Sequence, residues 1–191
     1  MSNLDDISFK QASILIVDDN PHNIQLAAGA LKNEGARLSF AQSGADMLEK
    51  CRANLFDLIL LDVMMPEMDG YEACRNLKQL PEYGMIPVIF LTAKADKESV
   101  VEGFDAGGVD YIVKPFHGEE LRMRVRNHLL LKHYRDQLDK VNSDLNRELV
   151  KSMRIGEELQ KSKQELTKTN RELYRRATED PLTGLYNRRK M

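Results

Sequence analysis

Between residues 13 and about 130, hydrophobic positions follow two alternating rhythms. Short apolar runs, "SILIVD" (13–18), "ARLSFA" (36–41), "LILLD" (58–62), "PVIFLT" (87–92) and "YIVK" (111–114), predict five strands. The stretches between them place apolar residues three and four apart, as one face of a helix requires. Asn20 reads as the cap of the first helix, with Pro21 at its first position and Gly35 as its stop. A second helix is predicted from Ser43 to about Asn54. A third starts at about Gly70, after a loop punctuated by proline and glycine, and a fourth runs from about Lys97 to Ala106. Helix-forming residues resume at Glu119. Strands that are apolar almost throughout must be covered on both faces. Their alternation with amphipathic helices therefore predicts an α/β, doubly wound parallel sheet of five strands with right-handed crossovers.

After about Leu130 the pattern changes. Residues 132–178 contain no proline, one glycine (Gly156) and a dense mixture of charged and amide side chains. Such a segment has no globular core of its own, but it can form a long helix that needs a partner. Leucines recur at 131, 138, 145, 159, 166 and 173, a sevenfold interval broken by Ser152, which predicts a coiled coil formed as a homodimer. From Glu119 to about Thr178 the helix would extend roughly 90 Å, at about 1.5 Å per residue. Its second core position has two candidates. Three residues after the leucines stand Tyr134, Val141, Glu148, Ile155, Ser162, Thr169 and Arg176; four after stand Arg135, Asn142, Leu149, Gly156, Lys163, Asn170 and Ala177. The first set packs better early, and the second offers asparagines that fix alignment in parallel dimers. Two registers close in energy, selected by the state of the preceding domain, are one expectation; a single mediocre coiled coil is the other.

Composition narrows the class. With 42% hydrophobic residues in 191, the chain can build a core, so wholesale disorder is excluded. A formal net charge of −2 gives no pull toward nucleic acid or anionic membrane, and no apolar run reaches the roughly 20 residues that span a bilayer. "MSNLDDISFKQ" is polar and acidic, unlike a secretory leader, so a cytoplasmic protein is expected. Cys51 and Cys74 lie in predicted helices without metal spacing and read as reduced thiols. The four histidines, His22, His117, His128 and His133, show no spacing that suggests metal binding or catalysis.

The chemistry collects at the carboxyl ends of the strands, where open parallel sheets place their sites. Asp18 and Asp19 end the first strand and Asp62 ends the third. In the strand order 2-1-3-4-5 these strands are neighbours, so three carboxylates converge on one crevice. Like charges so close resist joint ionisation, and a hard divalent cation with oxygen ligands, Mg²⁺ by default, is the natural remedy. The other strand ends add the Thr92 hydroxyl and the Lys114 ammonium. Carboxylate, metal and lysine together suit phosphoryl transfer through an aspartyl phosphate.

In that order and at those spacings, "LIVDDN", "LLDVMMPEMDG", "FLTA" and "DYIVKPF" resemble the four signatures of response-regulator receiver domains. The likeness covers residues 11–131 and implies a flavodoxin-like fold. It further implies that Asp62 accepts a phosphoryl group from a cognate histidine kinase. Asp19, Asp62 and the backbone carbonyl of Met64 would ligate Mg²⁺ directly, and Asp18 would act through water. Thr92 would be the switch hydroxyl, Tyr111 the aromatic that turns inward behind it, and Lys114 the partner of the phosphoryl oxygens, with a cis peptide at Lys114–Pro115. "GGVDYI" departs from the family pattern, with Gly108 and Val109 standing where alanine and an acidic residue are frequent. That departure bears on the face shown to partners and not on the chemistry.

The segment "TEDPLTGLYNRR" resembles the entry motif of GGDEF-family diguanylate cyclases, matching at Asp180, Leu182, Thr183, Gly184, Leu185, Asn187, Arg188 and Arg189. No GG(D/E)EF signature lies within these residues. The expected organisation is a tail (1–10), a receiver (11–131), a coiled-coil signalling helix (132–178) and a truncated cyclase start (179–191). This chain would not itself be an enzyme, and its parent would make cyclic di-GMP. Three rivals remain. A histidine-kinase fragment lacks its kinase box around His133. A transcription factor would need a basic helix-turn-helix after the receiver. A constitutive dimerisation scaffold would leave the acidic site idle.

Overall fold

The computed structural model describes residues 12–93 and 97–178, with the side chains of residues 97 and 98 left aside. Five strands alternate with five helices. They are β1 (Ser13–Val17), α1 (Pro21–Leu31), β2 (Arg37–Ala41), α2 (Gly44–Ala53), β3 (Leu58–Asp62), α3 (Gly70–Lys78), β4 (Val88–Thr92), α4 (Lys97–Asp105), β5 (Asp110–Val113) and α5 (Gly118–Thr178). All strand pairs are parallel, in the order β2-β1-β3-β4-β5. The fold is the doubly wound, flavodoxin-like sheet that the apolar runs predict, with a long C-terminal helix.

Alternation along the strands divides the core into two faces. Leu15, Val17, Ile59, Leu61, Val88 and Phe90 point to one side, where α2 and α3 cover them with Met47, Cys51, Ala73 and Leu77. Ile14, Ile16, Leu58, Leu60, Ile89, Leu91 and Ile112 point to the other, covered by Ile24, Ala27 and Leu31 of α1 and by Leu121, Val125 and Leu129 of α5. The fourfold spacing of those last three is one helical face. β3 and β4 are buried at every position, which is why they read as unbroken apolar runs.

Helix starts follow the caps. The side-chain oxygen of Asn20 accepts from the His22 N–H at 3.0 Å, Ser43 Oγ from Asp46 N–H at 3.1 Å, and Asp69 Oδ1 from Glu72 N–H at 2.8 Å. The first helix does not run unbroken to Gly35. It ends at Leu31 and tightens into a 3-10 turn over Lys32–Glu34, before Gly35 takes the left-handed conformation with φ 82°.

The chain divides into two compact units, residues 1–137 and 138–191. Within the second, the described part is the continuation of α5, whose leucines 138, 145, 159, 166 and 173 are exposed. No helix among the described residues is long and apolar enough to cross a membrane. Residues 180–189, which carry the cyclase-like motif, lie outside the described residues, as does the N-terminal tail.

Candidate functional site

The acidic crevice is a product of strand alignment. Val17 pairs with Leu61, so the next residues, Asp18 and Asp62, leave neighbouring strands side by side. Carboxylate oxygens of Asp18, Asp19 and Asp62 lie within 4.8 Å of one another. Asp18 is fully buried, Asp62 is 4% exposed and Asp19 faces outward. At the far side of the sheet Thr92 pairs with Val113, and Lys114 follows directly. The Lys114–Pro115 peptide is cis.

Lys114 Nζ reaches past β4 to the carboxyl ends of β3 and β1. It lies 2.6 Å from Asp18 Oδ2 and 2.8 Å from Asp62 Oδ1. The other oxygen of Asp18 accepts from the Asn20 backbone N–H at 2.9 Å and from Asn23 Nδ2 at 3.0 Å. Asp18 is therefore fixed by three donors, as a buried carboxylate must be. Burial pushes the Asp62 carboxyl above its ordinary range, while Lys114 and the Met64 N–H pull the other way. Three carboxylates against one ammonium leave the cluster two negative charges in excess. A hard divalent cation would balance that excess through these same oxygens, so the residues present fit Mg²⁺.

Thr92 is buried at the end of β4 and lines a cavity of about 10 Å³ together with Tyr71, Phe90, Gly108 and Tyr111. Met64 is exposed, just beyond the acids. Every sequence-predicted site residue thus falls at the carboxyl end of the sheet or in the cavity beside it.

Several neighbours were not foreseen. Tyr71 stacks edge-on against Phe90, with ring centroids 5.1 Å apart, and its hydroxyl donates to the Ser99 carbonyl at 2.9 Å, tying α3 to the start of α4. Gly108 is explained by Phe90: a Cβ there would sit 2.4 Å from the ring. Asp110, one residue before Tyr111, receives Arg124 Nη1 at 2.8 Å and lies 3.1 Å from His128 Nε2. Burial pushes the Asp110 carboxyl up, but Arg124, His128 and the Tyr111 N–H outweigh it and hold the group below the ordinary carboxylate range. The fourfold spacing of Arg124 and His128 on one helix was the available signal for a shared partner. Both cysteines are buried, with burial raising each thiol to about 11, so neither is reactive at neutral pH.

Comparison with known proteins agrees with this arrangement. Residues 14–126 match the response regulator receiver domain family. A probable cyclic di-GMP phosphodiesterase of Vibrio cholerae serotype O1 is 42% identical over 154 residues, covering 81% of this chain and 34% of that protein. YvrH, a transcriptional regulatory protein of Bacillus subtilis, is 42% identical over 121 residues, which is 63% of this chain and 50% of that protein. The chain therefore spans between a third and a half of these two relatives. Among solved structures, the Vibrio cholerae chemotaxis protein CheY4 is similar with a TM-score of 0.60 and 31% identity, over 61% of this chain and 98% of that one. With its fold, its acidic crevice and more than half its length matched, this chain belongs to the response regulator receiver family, the phospho-accepting domains of two-component signalling.

Proposed function

We propose that Asp62 is the phospho-acceptor and that the crevice around it performs the transfer. The observation that carries this reading is the position of Lys114 Nζ, within 2.8 Å of both Asp62 and Asp18. An oxygen of Asp62 forms the new P–O bond as the P–N bond to the kinase's phosphohistidine breaks, and the imidazole leaves with the electron pair. Held by Asp19, Asp62 and the Met64 carbonyl, with Asp18 acting through water, Mg²⁺ would neutralise charge on the phosphoryl oxygens. Lys114 serves the same oxygens with its ammonium. Thr92 and Tyr111, which share one cavity, are the groups placed to report the change: the hydroxyl moves onto the phosphoryl group and the ring follows.

The test is incubation of the full chain with acetyl phosphate and Mg²⁺, read by intact mass spectrometry. The wild type gains one phosphoryl group, while Asp62→Asn gains none and keeps its circular dichroism. Equal labelling of both would remove Asp62 from the role.

Downstream, we assign the α5 segment to pairing with a second copy, and the output to cyclic di-GMP turnover. The exposed leucine row supports the first assignment. The cyclase-like string at 180–189 supports synthesis as the output, and the name of the Vibrio cholerae relative supports the same signalling molecule with hydrolysis instead. Where the natural protein continues past Met191, supplying GTP or cyclic di-GMP and identifying the product separates the two.

A further inference from the structure

The leucines of α5 keep one sevenfold interval, yet their companions change sides along the helix. In the receiver unit the structure settles the first choice. Arg135 is spent within its own domain, donating to the Met85 carbonyl at 2.5 Å, while Tyr134 is exposed beside it. The companion three residues after each leucine is therefore the available one, and the sequence continues in that frame through Leu138, Val141 and Leu145.

Carried further, this frame would bring Glu148 and Arg176 into an apolar seam. Glu148 instead faces Lys151 at 3.8 Å on the helix surface, and the next residue, Leu149, is exposed and apolar. Beyond Leu149 the companions four residues after the leucine positions are Gly156, Lys163, Asn170 and Ala177, against Ile155, Ser162, Thr169 and Arg176 at three. Ile155 alone favours the early frame, while Ala177 in place of Arg176 and the asparagine at 170 favour the late one. Leucine then occupies the second core position of the three heptads that hold Leu159, Leu166 and Leu173, with Gly156, Lys163 and Asn170 at the first. That grammar specifies a parallel two-stranded coil and its alignment. Val141, Leu145 and Leu149 join the two frames by two consecutive four-residue steps. This equals a four-residue insertion in the heptads, which locally unwinds a supercoil. The next two core positions, Ser152 and Gly156, are small. A Cβ at Gly156 would meet nothing within 4 Å in its own chain, so no intramolecular packing calls for glycine there.

We propose that α5 pairs in parallel with a second copy of this chain through a seam that changes heptad frame once, between Leu145 and Leu149. The inference rests on the assignment of α5 to pairing and adds where the frame changes. It replaces a choice between two whole-length registers by a fixed join: the early frame before Leu145, the late frame after Leu149, and the least filled turn immediately beyond.

The test is single-cysteine cross-linking on the full chain, comparing adjacent positions under a mild oxidant, with the unsubstituted chain as blank because Cys51 and Cys74 are buried. Val141→Cys, Leu149→Cys, Lys163→Cys and Asn170→Cys are expected to link several-fold faster than Asn142→Cys, Glu148→Cys, Ser162→Cys and Thr169→Cys. Preference for 141, 148, 162 and 169 would mean the early frame throughout, and preference for 142, 149, 163 and 170 the late frame throughout; either overturns the join. Sedimentation equilibrium of the unsubstituted chain, with and without beryllofluoride, tests the pairing separately. A dimer with either uniform pattern sinks the frame change alone. A monomer in both states, with no cross-link at Leu159→Cys, sinks the pairing and the frame change with it.

Discussion

At the scale of single residues, the site depends on a hydrogen atom where other residues carry a carbon. Gly70 opens α3 directly beneath the backbone of Asp62: a Cβ there would lie 2.2 Å from the Asp62 carbonyl oxygen and 2.8 Å from Val63 Cα. Neither neighbour is a flexible side chain, so the strain cannot be relieved by a rotamer change. Gly70→Ala is expected to destabilise the fold by about 3 kcal/mol, the upper end for overpacking, measured by urea unfolding. The same variant should weaken beryllofluoride binding, because the main chain that must yield is the one carrying Asp62. Gly108 shows what a sequence conceals. Its departure from the family pattern was legible, and its reason was not, because the ring that needs the space belongs to Phe90, on a strand eighteen positions earlier. The three acids were legible because the end of an apolar run fixes where they emerge. That Lys114 bridges two of them depends on strand alignment, which composition does not reveal.

At the scale of elements, β5 and α5 are joined by the Asp110 cluster. Because the Asp110 carboxyl is held below its ordinary range, the folded state binds its proton less readily than the unfolded chain does. The resulting stability is present above about pH 4 and lost as the pH falls through the depressed value. Unfolding of wild type and Asp110→Asn across pH 7 to about 2.5 is expected to show a wild-type advantage at neutral pH that closes in acid. A gap independent of pH would assign the tie to neutral hydrogen bonding. Elements differ in how openly the sequence declares them. β3 and β4, buried throughout, are unmistakable as apolar runs. β2, at the sheet edge with Arg37 and Phe40 exposed, is weaker as a pattern. The 3-10 turn after α1 reads as part of one helix because Lys32 and Glu34 favour helix and the change is in the hydrogen-bond ladder alone. The Asp110 cluster is not legible in the sequence, because it joins a strand to a helix 14 and 18 residues further on.

At the scale of the whole molecule, the two units are stabilised by different means. The first buries a two-faced core, whereas the described part of the second is helix with its leucines exposed in a single chain. An isolated helix gains most of its stability from what it packs against. Dilution should therefore lower the ellipticity at 222 nm as pairs dissociate, while the receiver's aromatic signals in the near ultraviolet stay constant. Ellipticity independent of concentration over the range where sedimentation shows dissociation would mean that the helix stands without a partner. The ion pair at the site has a further consequence. Asp18 is wholly covered and Lys114 largely so, which places their attraction out of reach of dissolved ions that mask charges on open surfaces. On the transfer proposed above, an arriving phosphoryl group must win the ammonium from carboxylates already holding it. On that reading the exchange occurs where the ionic strength of the medium has little influence, and added salt is expected to change phosphorylation of the receiver far less than loss of Lys114 does.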